Sequence, residues 1–405
     1  MSNGRIEAIM NKTKITLLIL SFLLIGTYAC KDEGEIITEP LDNSYEAIKA
    51  KFGNRIDLEN LANYATQTIP SYITKDNTAG NEITDKGATL GRVLFYDKML
   101  SVDNTIACAS CHKQELAFGD DAAASVGVNG TTGRHSMRLI NTRFAEEVKF
   151  FWDERALTLE AQTTQPIQDH IEMGYSGTDG NLSFADLVQK LNGEAHYQEF
   201  FEYVYGDAGI TEERIQNALA QFIRSIQSFD SRFDEGRTNA PNNGATFSNF
   251  TANENAGKQL FLAPAQFGPD GVRTGGGIGC GGCHRAPEFD IDPASRNNGV
   301  IGTLAGGEND FTNTRSPTLR DVVNQNGSAN GLFMHNANFG AIQGVLSHYN
   351  NITTQNPQID RRLVPGGNPQ QLNLTVLERQ QVAAFLATLT GNDVYTNQKW
   401  SNPFE

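Results

Sequence analysis

The sequence predicts a mainly α-helical protein built as two domains with long loops. Its 405 residues exceed what one ordinary hydrophobic core accommodates, so two domains are the natural expectation. The two halves also echo each other, because Gly91-Arg-Val-Leu-Phe95 is matched by Gly257-Lys-Gln-Leu-Phe261. The 39 glycines and 13 prolines then predict irregular connections between the helices.

The N-terminal segment has the pattern of a secretory signal. Lys12 and Lys14 precede an apolar run from Ile15 to Ile25, which is too short for a stable transmembrane helix, and small residues lead on to Cys30. We therefore interpret residues 1–29 as a signal peptide and expect Cys30 to carry a lipid. The expected location is the periplasm or the outer membrane, with that lipid as the anchor and exposure at the cell surface as one alternative.

The remaining chain divides by its polarity and periodicity. Helical character is expected near Tyr45 to Phe52, and a helix is predicted from Thr211 to Phe229, where apolar residues recur at helical spacing behind two acidic residues. A stretch rich in Asn, Gly and Pro then runs to about Asn253 and is typical of a linker. The expected boundaries are residues 30–75 for a polar tether and N-terminal extension, 76–240 for the N-terminal domain and 241–405 for the C-terminal domain.

Four of the five cysteines fall in two boxes, Cys108-Ala-Ser-Cys-His112 and Cys280-Gly-Gly-Cys-His284. In a helix, residues i, i+3 and i+4 share one face, so both sulfurs and the imidazole of a box can meet one flat ligand. A haem fits, since its vinyl groups accept the thiols and its iron accepts the histidine. A zinc site needs further Cys or His ligands and a redox dithiol needs a thioredoxin-like unit, and neither context surrounds the boxes. We therefore predict two cytochrome c-like domains with covalent c-type haems, bound through Cys108, Cys111, His112, Cys280, Cys283 and His284.

The net charge limits the class of partner, and the fifth cysteine bears on whether a structural disulfide can form. A formal net charge of −15 argues against a nucleic acid partner, whose binders need a basic surface. An acidic surface suits a small cationic protein partner, although ordinary solubility accounts for it equally well. Once Cys30 is assigned to the lipid, no cysteine remains for a structural disulfide.

From about Leu90 to Gly391 the chain resembles the bacterial di-haem cytochrome c peroxidases. Besides the two boxes, the motifs that carry the resemblance follow one another in the family's order: Leu90-Gly-Arg-Val-Leu-Phe95, Phe151-Trp-Asp-Glu-Arg155, Gln162 with Pro166, Glu172-Met-Gly174, Ser316-Pro-Thr-Leu-Arg320, Phe333-Met-His335 and Ala384-Phe-Leu-Ala-Thr-Leu-Thr390.

The resemblance implies that hydrogen peroxide is reduced to water at the N-terminal haem, with electrons entering from a small cytochrome c or cupredoxin through the C-terminal haem. It implies that His112 and His284 are the proximal iron ligands and that Trp152 lies between the haems. It places Gln162 and Glu172 in the peroxide pocket, where a carboxyl can move a proton between the peroxide oxygens and an amide can hydrogen-bond them. Members of the family often form homodimers.

Two departures from the family concern the first haem and a metal ion. Where many members have a distal histidine, this chain has Val128, which cannot ligate iron, so the first haem is expected to be open without prior reduction. His135 is a nearby alternative ligand, yet it stands where the family has an asparagine that serves an inter-haem calcium. That change, together with Asn330-Gly-Leu332 in place of Thr-x-Pro, leaves backbone carbonyls as the oxygen ligands of one expected calcium ion.

A third departure concerns the sixth ligand of the second haem. Family peroxidases have a methionine downstream of the Phe333-Met-His335 motif, whereas Tyr349 stands at that spacing here, as in the related methylamine-utilisation di-haem enzyme, which modifies a partner protein. A phenolate favours ferric or higher iron and a thioether favours ferrous iron. We expect Tyr349 to be the ligand and the potential of this haem to be low, with Met334 and His348 as rival ligands.

Three functions follow from these observations. The leading one is an exported, lipid-anchored di-haem peroxidase. The second is a peroxide-dependent oxidase of a protein or small molecule, favoured by Val128 and Tyr349. The third is a non-catalytic electron-transfer lipoprotein, against which Gln162 and Glu172 argue, because a carrier has no use for an open site with a proton shuttle.

Overall fold

Helices dominate the computed structural model, which describes residues 44–306, 308–353 and 356–405. Among these residues 37% are helical and 8% lie in strands or bridges, which confirms the mainly α-helical prediction. None of the described helices combines the length and the apolar character needed to cross a bilayer. The signal segment and Cys30 lie outside the described residues.

The α-helices of the described part are α1 Glu46–Phe52, α2 Asp85–Tyr96, α3 Cys108–Cys111, α4 Leu159–Thr163, α5 Gln165–Gln168, α6 Phe184–Asn192, α7 Ala195–Tyr205, α8 Glu212–Ser225, α9 Arg232–Thr238, α10 Ala252–Leu262, α11 Ile342–Asn350 and α12 Val376–Ala387. Short 3-10 helices span Gly53–Arg55, Lys98–Leu100, Gln114–Leu116, Thr142–Phe144, Cys280–Gly282, Arg361–Leu363, Pro365–Gly367, Asp393–Tyr395 and Gln398–Trp400. Antiparallel pairs are formed by strands β1 Val126–Gly127 with β2 Gly130–Thr131, β3 Ala265–Phe267 with β4 Arg273–Gly276, and β5 His284–Arg285 with β6 Asp290–Ile291.

The echoed Gly-x-x-x-Phe motif forms two equivalent helix crossings. Gly91 of α2 approaches α8 so closely that a Cβ there would lie 2.0 Å from the carbonyl oxygen of Ala218. Gly257 of α10 approaches α12 in the same way, with a Cβ position 1.9 Å from the carbonyl oxygen of Gln381. Each half of the chain therefore uses a glycine to bring two helix backbones into contact.

Helix α8 is the helix predicted from Thr211 to Phe229, and it ends earlier than its apolar periodicity suggested. Thr211 caps its first turn, as expected, but the helix stops at Ser225. Beyond that point the side chain of Asn141 binds both the N–H and the C=O of Ser228, at 2.8 and 3.1 Å. These tertiary hydrogen bonds hold the backbone in a non-helical course that local periodicity does not encode.

Two hydrophobic clusters lie within one compact unit that runs from Tyr45 to Glu405. The first is built around α2, α7 and α8, and the second around α10 and α12. Ile48 and Phe52 of α1 are fully covered in the first cluster, so the chain from Tyr45 onward is part of the folded unit and not a free polar tether. Trp400, near the C-terminus, also packs in the first cluster.

Substitution of Gly91 by Ala is expected to lower the free energy of unfolding by about 1–3 kcal/mol, because the added methyl group meets backbone and cannot be accommodated by a side-chain rotation. Denaturant unfolding followed by circular dichroism measures the change. Gly244→Ala is the matched control, since its Cβ would find only the Asn242 side chain, 3.4 Å away. Equal stabilities of the two variants would contradict the close crossing.

Candidate functional site

Two cavities of about 580 Å³ each contain one Cys-x-x-Cys-His box. The sulfurs and the imidazole of the first box line the first cavity, and those of the second box line the second. The two cavities also share lining residues, which we call the shared wall: the segment His135–Arg138 with Trp152, Arg315, Pro317 and Thr318. The two boxes therefore face neighbouring cavities that share one wall.

The first box forms the short helix α3, as its spacing predicted. Burial raises the pKa of the Cys108 thiol to about 12 and that of Cys111 to about 11, so both are thiols and not thiolates. Burial lowers the pKa of His112 to about 4, which keeps its imidazole neutral, as a metal ligand must be. Its buried Nδ1 has no hydrogen-bond partner among the described residues.

The second box is not an α-helix, and the expectation that both boxes share the helical geometry is wrong in this respect. Residues Cys280–Gly282 form one 3-10 turn after Gly279, which has a left-handed backbone, and His284 begins β5. Two consecutive glycines have little helix propensity, and this explains the looser turn. Burial, with a contribution from Arg362, nevertheless lowers the pKa of His284 to about 4, and its Nδ1 lacks a partner in the described structure.

Each cavity thus fits a covalently attached c-type haem. Two buried neutral thiols and one buried neutral imidazole face the same space in both cases, and the cavity is of a size that ordinarily buries a cofactor. The four thiols are free, so none is committed to a disulfide. The described residues contain no cluster of three or more His, Cys, Asp or Glu arranged to hold a metal ion directly.

Glu172 and Gln162 both line the first cavity. Burial, reinforced by Asp169 and opposed by Arg155, raises the pKa of the Glu172 carboxyl to about 7. Asp169 also accepts the backbone N–H of Glu172 at 3.0 Å, which fixes the turn that carries the carboxyl. Gln162 lies on α4 and lines the same cavity, where its amide can bind a molecule. The structure therefore brings the two predicted pocket residues together with the first box.

Sequence reasoning missed the arginines of the first cavity. Arg155 lines it beside the predicted acid, stacks its guanidinium 3.5 Å from the centre of the Phe151 ring, and pairs with Asp153 at 2.9 Å. Arg134 also lines it and is held by Asp153 and Asp310 at 2.6 and 2.8 Å. Arg155 was visible in the Phe151-Trp-Asp-Glu-Arg155 motif, but no local pattern showed that it points into the cavity.

Trp152 lies in the shared wall, as expected of an aromatic between two redox groups. Its indole N–H donates to the backbone oxygen of His135 at 2.7 Å, and the ring centroid lies 6.2 Å from that of His335 in an edge-on arrangement. The backbone N–H of His135 in turn donates to the oxygen of His335 at 2.7 Å. These bonds fix the orientation of the indole between the cavities.

Two of the three candidate sixth ligands lie in the second cavity. Tyr349 of α11 and Met334 both line it, and the amide of Asn298 donates to both, at 3.3 Å to the phenol oxygen and 3.2 Å to the thioether sulfur. Burial raises the pKa of Tyr349, so the phenol is neutral without a metal. A ring nitrogen of His348 is 2.8 Å from the backbone oxygen of Asn298, and this side chain is not part of the cavity lining.

The structure also places the residues that concern the distal ligand of the first haem and the expected calcium ion. Val128 packs near Gly174 and does not line the first cavity. His135 lines both cavities, with its Nδ1 2.9 Å from the backbone oxygen of Ala122. The carbonyl of Asn330, one of the expected calcium ligands, accepts a hydrogen bond from the guanidinium of Arg138.

Comparison with known proteins connects these sites to one group of enzymes. A family model described as di-haem cytochrome c peroxidase matches residues 85–240. The methylamine utilization protein MauG of Methylophilus methylotrophus is 27% identical over 322 residues, covering 77% of this chain and 84% of the relative. The cytochrome c peroxidase Ccp of Escherichia coli is 34% identical over 176 residues, covering 42% of this chain and 34% of the relative. The cytochrome c551 peroxidase of Nitrosomonas europaea is 28% identical over 250 residues, covering 58% and 65%.

Solved structures share the fold. A MauG-like protein associated with microbial copper homeostasis superposes with a TM-score of 0.63 at 24% identity, covering 84% of this chain and 99% of that protein. The diheme peroxidase BthA of Burkholderia thailandensis gives a TM-score of 0.56 at 18% identity, covering 83% and 94%.

Proposed function

We propose that the chain is a member of the di-haem cytochrome c peroxidase family of oxidoreductases and that it reduces hydrogen peroxide to water with electrons from a small redox protein. One observation supports this function more strongly than the others. A half-buried carboxyl, Glu172, whose pKa of about 7 suits proton transfer at neutral pH, shares the first cavity with a Cys-x-x-Cys-His box. An electron carrier needs no such group.

The proposed haems are held by Cys108, Cys111 and His112 in the first cavity and by Cys280, Cys283 and His284 in the second. When bound, the haems would supply the iron at which peroxide is reduced and the two electrons of the reaction. The overall change is that H₂O₂, two electrons and two protons give two molecules of water.

The chain's own residues handle the protons and the orientation of peroxide. Ionised Glu172 accepts the proton of one peroxide oxygen and returns it to the other oxygen, which leaves as water. The amide of Gln162 donates a hydrogen bond to peroxide and holds it beside the carboxyl. Arg155 keeps a positive charge near Glu172 and so supports its ionised form. Trp152 occupies the wall through which electrons pass from the second cavity to the first.

The electron donor is proposed to be a small cytochrome c or a cupredoxin. The net charge of −15 would steer a cationic donor towards the surface, with a rate that falls as ionic strength rises. We propose that electrons enter through the second haem. Its cavity contains the candidate sixth ligands of the iron, whereas the first cavity contains the residues that are proposed to act on peroxide.

Purified protein with two haems per chain is expected to consume peroxide when a reduced donor of this class is supplied. Oxidation of the donor at two equivalents per peroxide, followed by visible absorbance, measures the reaction. A Trp152→Leu variant should retain both haems but pass electrons more slowly from the second to the first. Peroxide consumption that requires an added oxidisable co-substrate and leaves the donor reduced would instead support the oxidase alternative.

That alternative is a peroxide-dependent oxidase acting on a protein or small molecule, and Tyr349 in the second cavity is the observation that favours it. A phenolate stabilises oxidised iron and so suits a haem that stores oxidising equivalents. Such an enzyme would consume peroxide only with an oxidisable co-substrate and would turn over slowly with reduced cytochrome alone.

Export and assembly complete the proposal. We propose that the chain is exported, cleaved before Cys30 and anchored there by lipid in the outer membrane, so Cys30→Ser should move it from the membrane fraction to the soluble fraction. We further propose one calcium ion near His135 and Asn330, which metal analysis of the purified protein tests. Because members of the family often form homodimers, we also propose a homodimer. Analytical ultracentrifugation measures the oligomeric state.

A further inference from the structure

Arg138 is a half-buried cation in the shared wall, and no carboxylate of the described residues forms an ion pair with it. Its guanidinium lines both cavities, its Nε is buried without a hydrogen-bond partner, and Nη2 donates to the backbone oxygen of Asn330. The nearest acidic group identified by its electrostatic effect is Asp321. One carboxylate oxygen of Asp321 already accepts the N–H of Gly391 at 2.8 Å and the phenol of Tyr395 at 3.0 Å.

Two buried arginines of the described chain have carboxylate partners, whereas Arg92 and Arg315 donate to backbone or hydroxyl oxygens. Arg224 forms an ion pair with Glu160, and Arg320 pairs with Asp234 at 2.8 Å. Removing a charge from water is costly, and a guanidinium stays charged because it does not deprotonate in proteins. Neutral oxygens offset part of that cost, and an anion offsets more of it. An anion that is not part of the described chain would balance the charge of Arg138.

The cavities themselves indicate which anion this is. Hydrogen peroxide is neutral at physiological pH and cannot balance the charge. A haem carries two propionate carboxylates on the edge away from its vinyl groups, and a guanidinium is the side chain that matches a carboxylate in geometry and charge. We propose that Arg138 binds a haem propionate in the shared wall and so sets the electrostatic environment of that haem. The inference rests on the haem attachment of the proposed function.

A consequence follows for the redox properties of the protein. A cation beside a propionate favours the reduced haem, whose iron carries one positive charge fewer. Loss of that cation should therefore lower the midpoint potential of the haem it contacts. Because Arg138 lines both cavities, it is placed to balance the potentials of the two haems.

The test uses the full-length holoprotein and three variants. Arg138→Gln removes the charge, Arg138→Lys retains it without the planar fork, and Arg224→Gln is the control, since Arg224 is buried and paired but lines neither cavity. Haem content is measured first, by absorbance of the pyridine complex. The midpoint potentials of both haems are then measured by spectroelectrochemistry, and the propionate bending modes by resonance Raman spectroscopy.

We expect two haems per chain in each protein, a lower potential for at least one haem in Arg138→Gln, a potential close to wild type in Arg138→Lys, and shifted propionate modes in both Arg138 variants. Arg224→Gln should change neither property. Wild-type protein without covalent haem would contradict the proposed function itself. Haem-loaded Arg138 variants with unchanged potentials and unchanged modes would overturn only this inference. Should Arg138→Gln fail to take up haem, the modes of Arg138→Lys decide, shifted modes supporting the contact and unshifted ones excluding it.

Discussion

Replacement of Glu172 by Gln is expected to lower kcat/KM for hydrogen peroxide by roughly 10²–10⁴-fold, the usual contribution of a positioned acid–base group. The amide keeps the size of the side chain and its place in the first cavity, but it cannot accept and return a proton. Both haems should remain attached, because Glu172 belongs to neither of the two cysteine pairs that are proposed to bind them. Steady-state peroxide reduction with a reduced donor measures the loss.

The pH profile makes this prediction specific. The pKa of Glu172 is raised to about 7, so its carboxyl is protonated below that value and ionised above it. The proposed step requires the ionised form, and kcat/KM should therefore rise as pH increases through about 7 and level off above it. The rise should be absent in Glu172→Gln.

Stability provides an independent check on the same group. Because the folded-state pKa lies above the unfolded value, folding favours protonated Glu172, and this contribution is present below the unfolded pKa and disappears as pH rises through about 7. The Gln variant is therefore expected to be at least as stable as wild type at pH 8. Lost activity in a well-folded variant cannot then be attributed to unfolding.

Glu213→Gln is the matched control, since Glu213 is exposed on α8 and outside the cavity. It should leave the pH profile unchanged. Full activity of Glu172→Gln at every pH would remove the observation on which the peroxidase proposal rests. The absence of peroxide reduction in the wild type would instead support the non-catalytic carrier.

The two Cys-x-x-Cys-His boxes could be recognised in the sequence because their chemistry depends on local spacing. Two thiols and an imidazole within five residues reach one flat group whether the turn is the α-helix α3 or the 3-10 turn at Cys280. The form of the second turn was missed because the glycines at 281 and 282 weaken a helix while leaving the ligand set intact. The spacing therefore determined the site more strongly than the secondary structure.

Other features depend on contacts between distant segments and were beyond sequence patterns. The raised pKa of Glu172 arises from burial in a cavity whose walls come from many parts of the chain. Asn298 was not singled out, because its amide gains significance only where α11 and the loop with Met334 meet it. Arg138 likewise becomes notable only when the structure shows that no described carboxylate pairs with it. Family motifs indicated Gln162 and Glu172, which composition and periodicity alone did not distinguish from surface residues.

Substitution of Tyr349 by Phe is expected to change the low-spin signal of the second haem and to raise its midpoint potential. If Tyr349 is the sixth ligand as proposed, removal of the phenol eliminates the ligand that favours oxidised iron, and Met334 is available in the same cavity, held by the same Asn298 amide. A thioether in place of a phenolate favours ferrous iron, and axial ligands tune haem potentials over ~0.8 V, so a large shift is expected. Electron paramagnetic resonance of the ferric protein and spectroelectrochemistry measure the two effects.

Met334→Leu is the matched control for Tyr349→Phe, because it removes the rival ligand and leaves the phenol. If Tyr349 closes the second haem, Met334→Leu should leave the signal and the potential unchanged, and Tyr349→Phe should improve donor-driven peroxide reduction by making the second haem easier to reduce. The reverse pattern, with only Met334→Leu altering the haem, would assign the thioether as ligand and strengthen the peroxidase function. A tyrosinate ligand would instead hold the second haem oxidised in the resting enzyme, and oxidation of a co-substrate would then be the reaction to which this site is better suited.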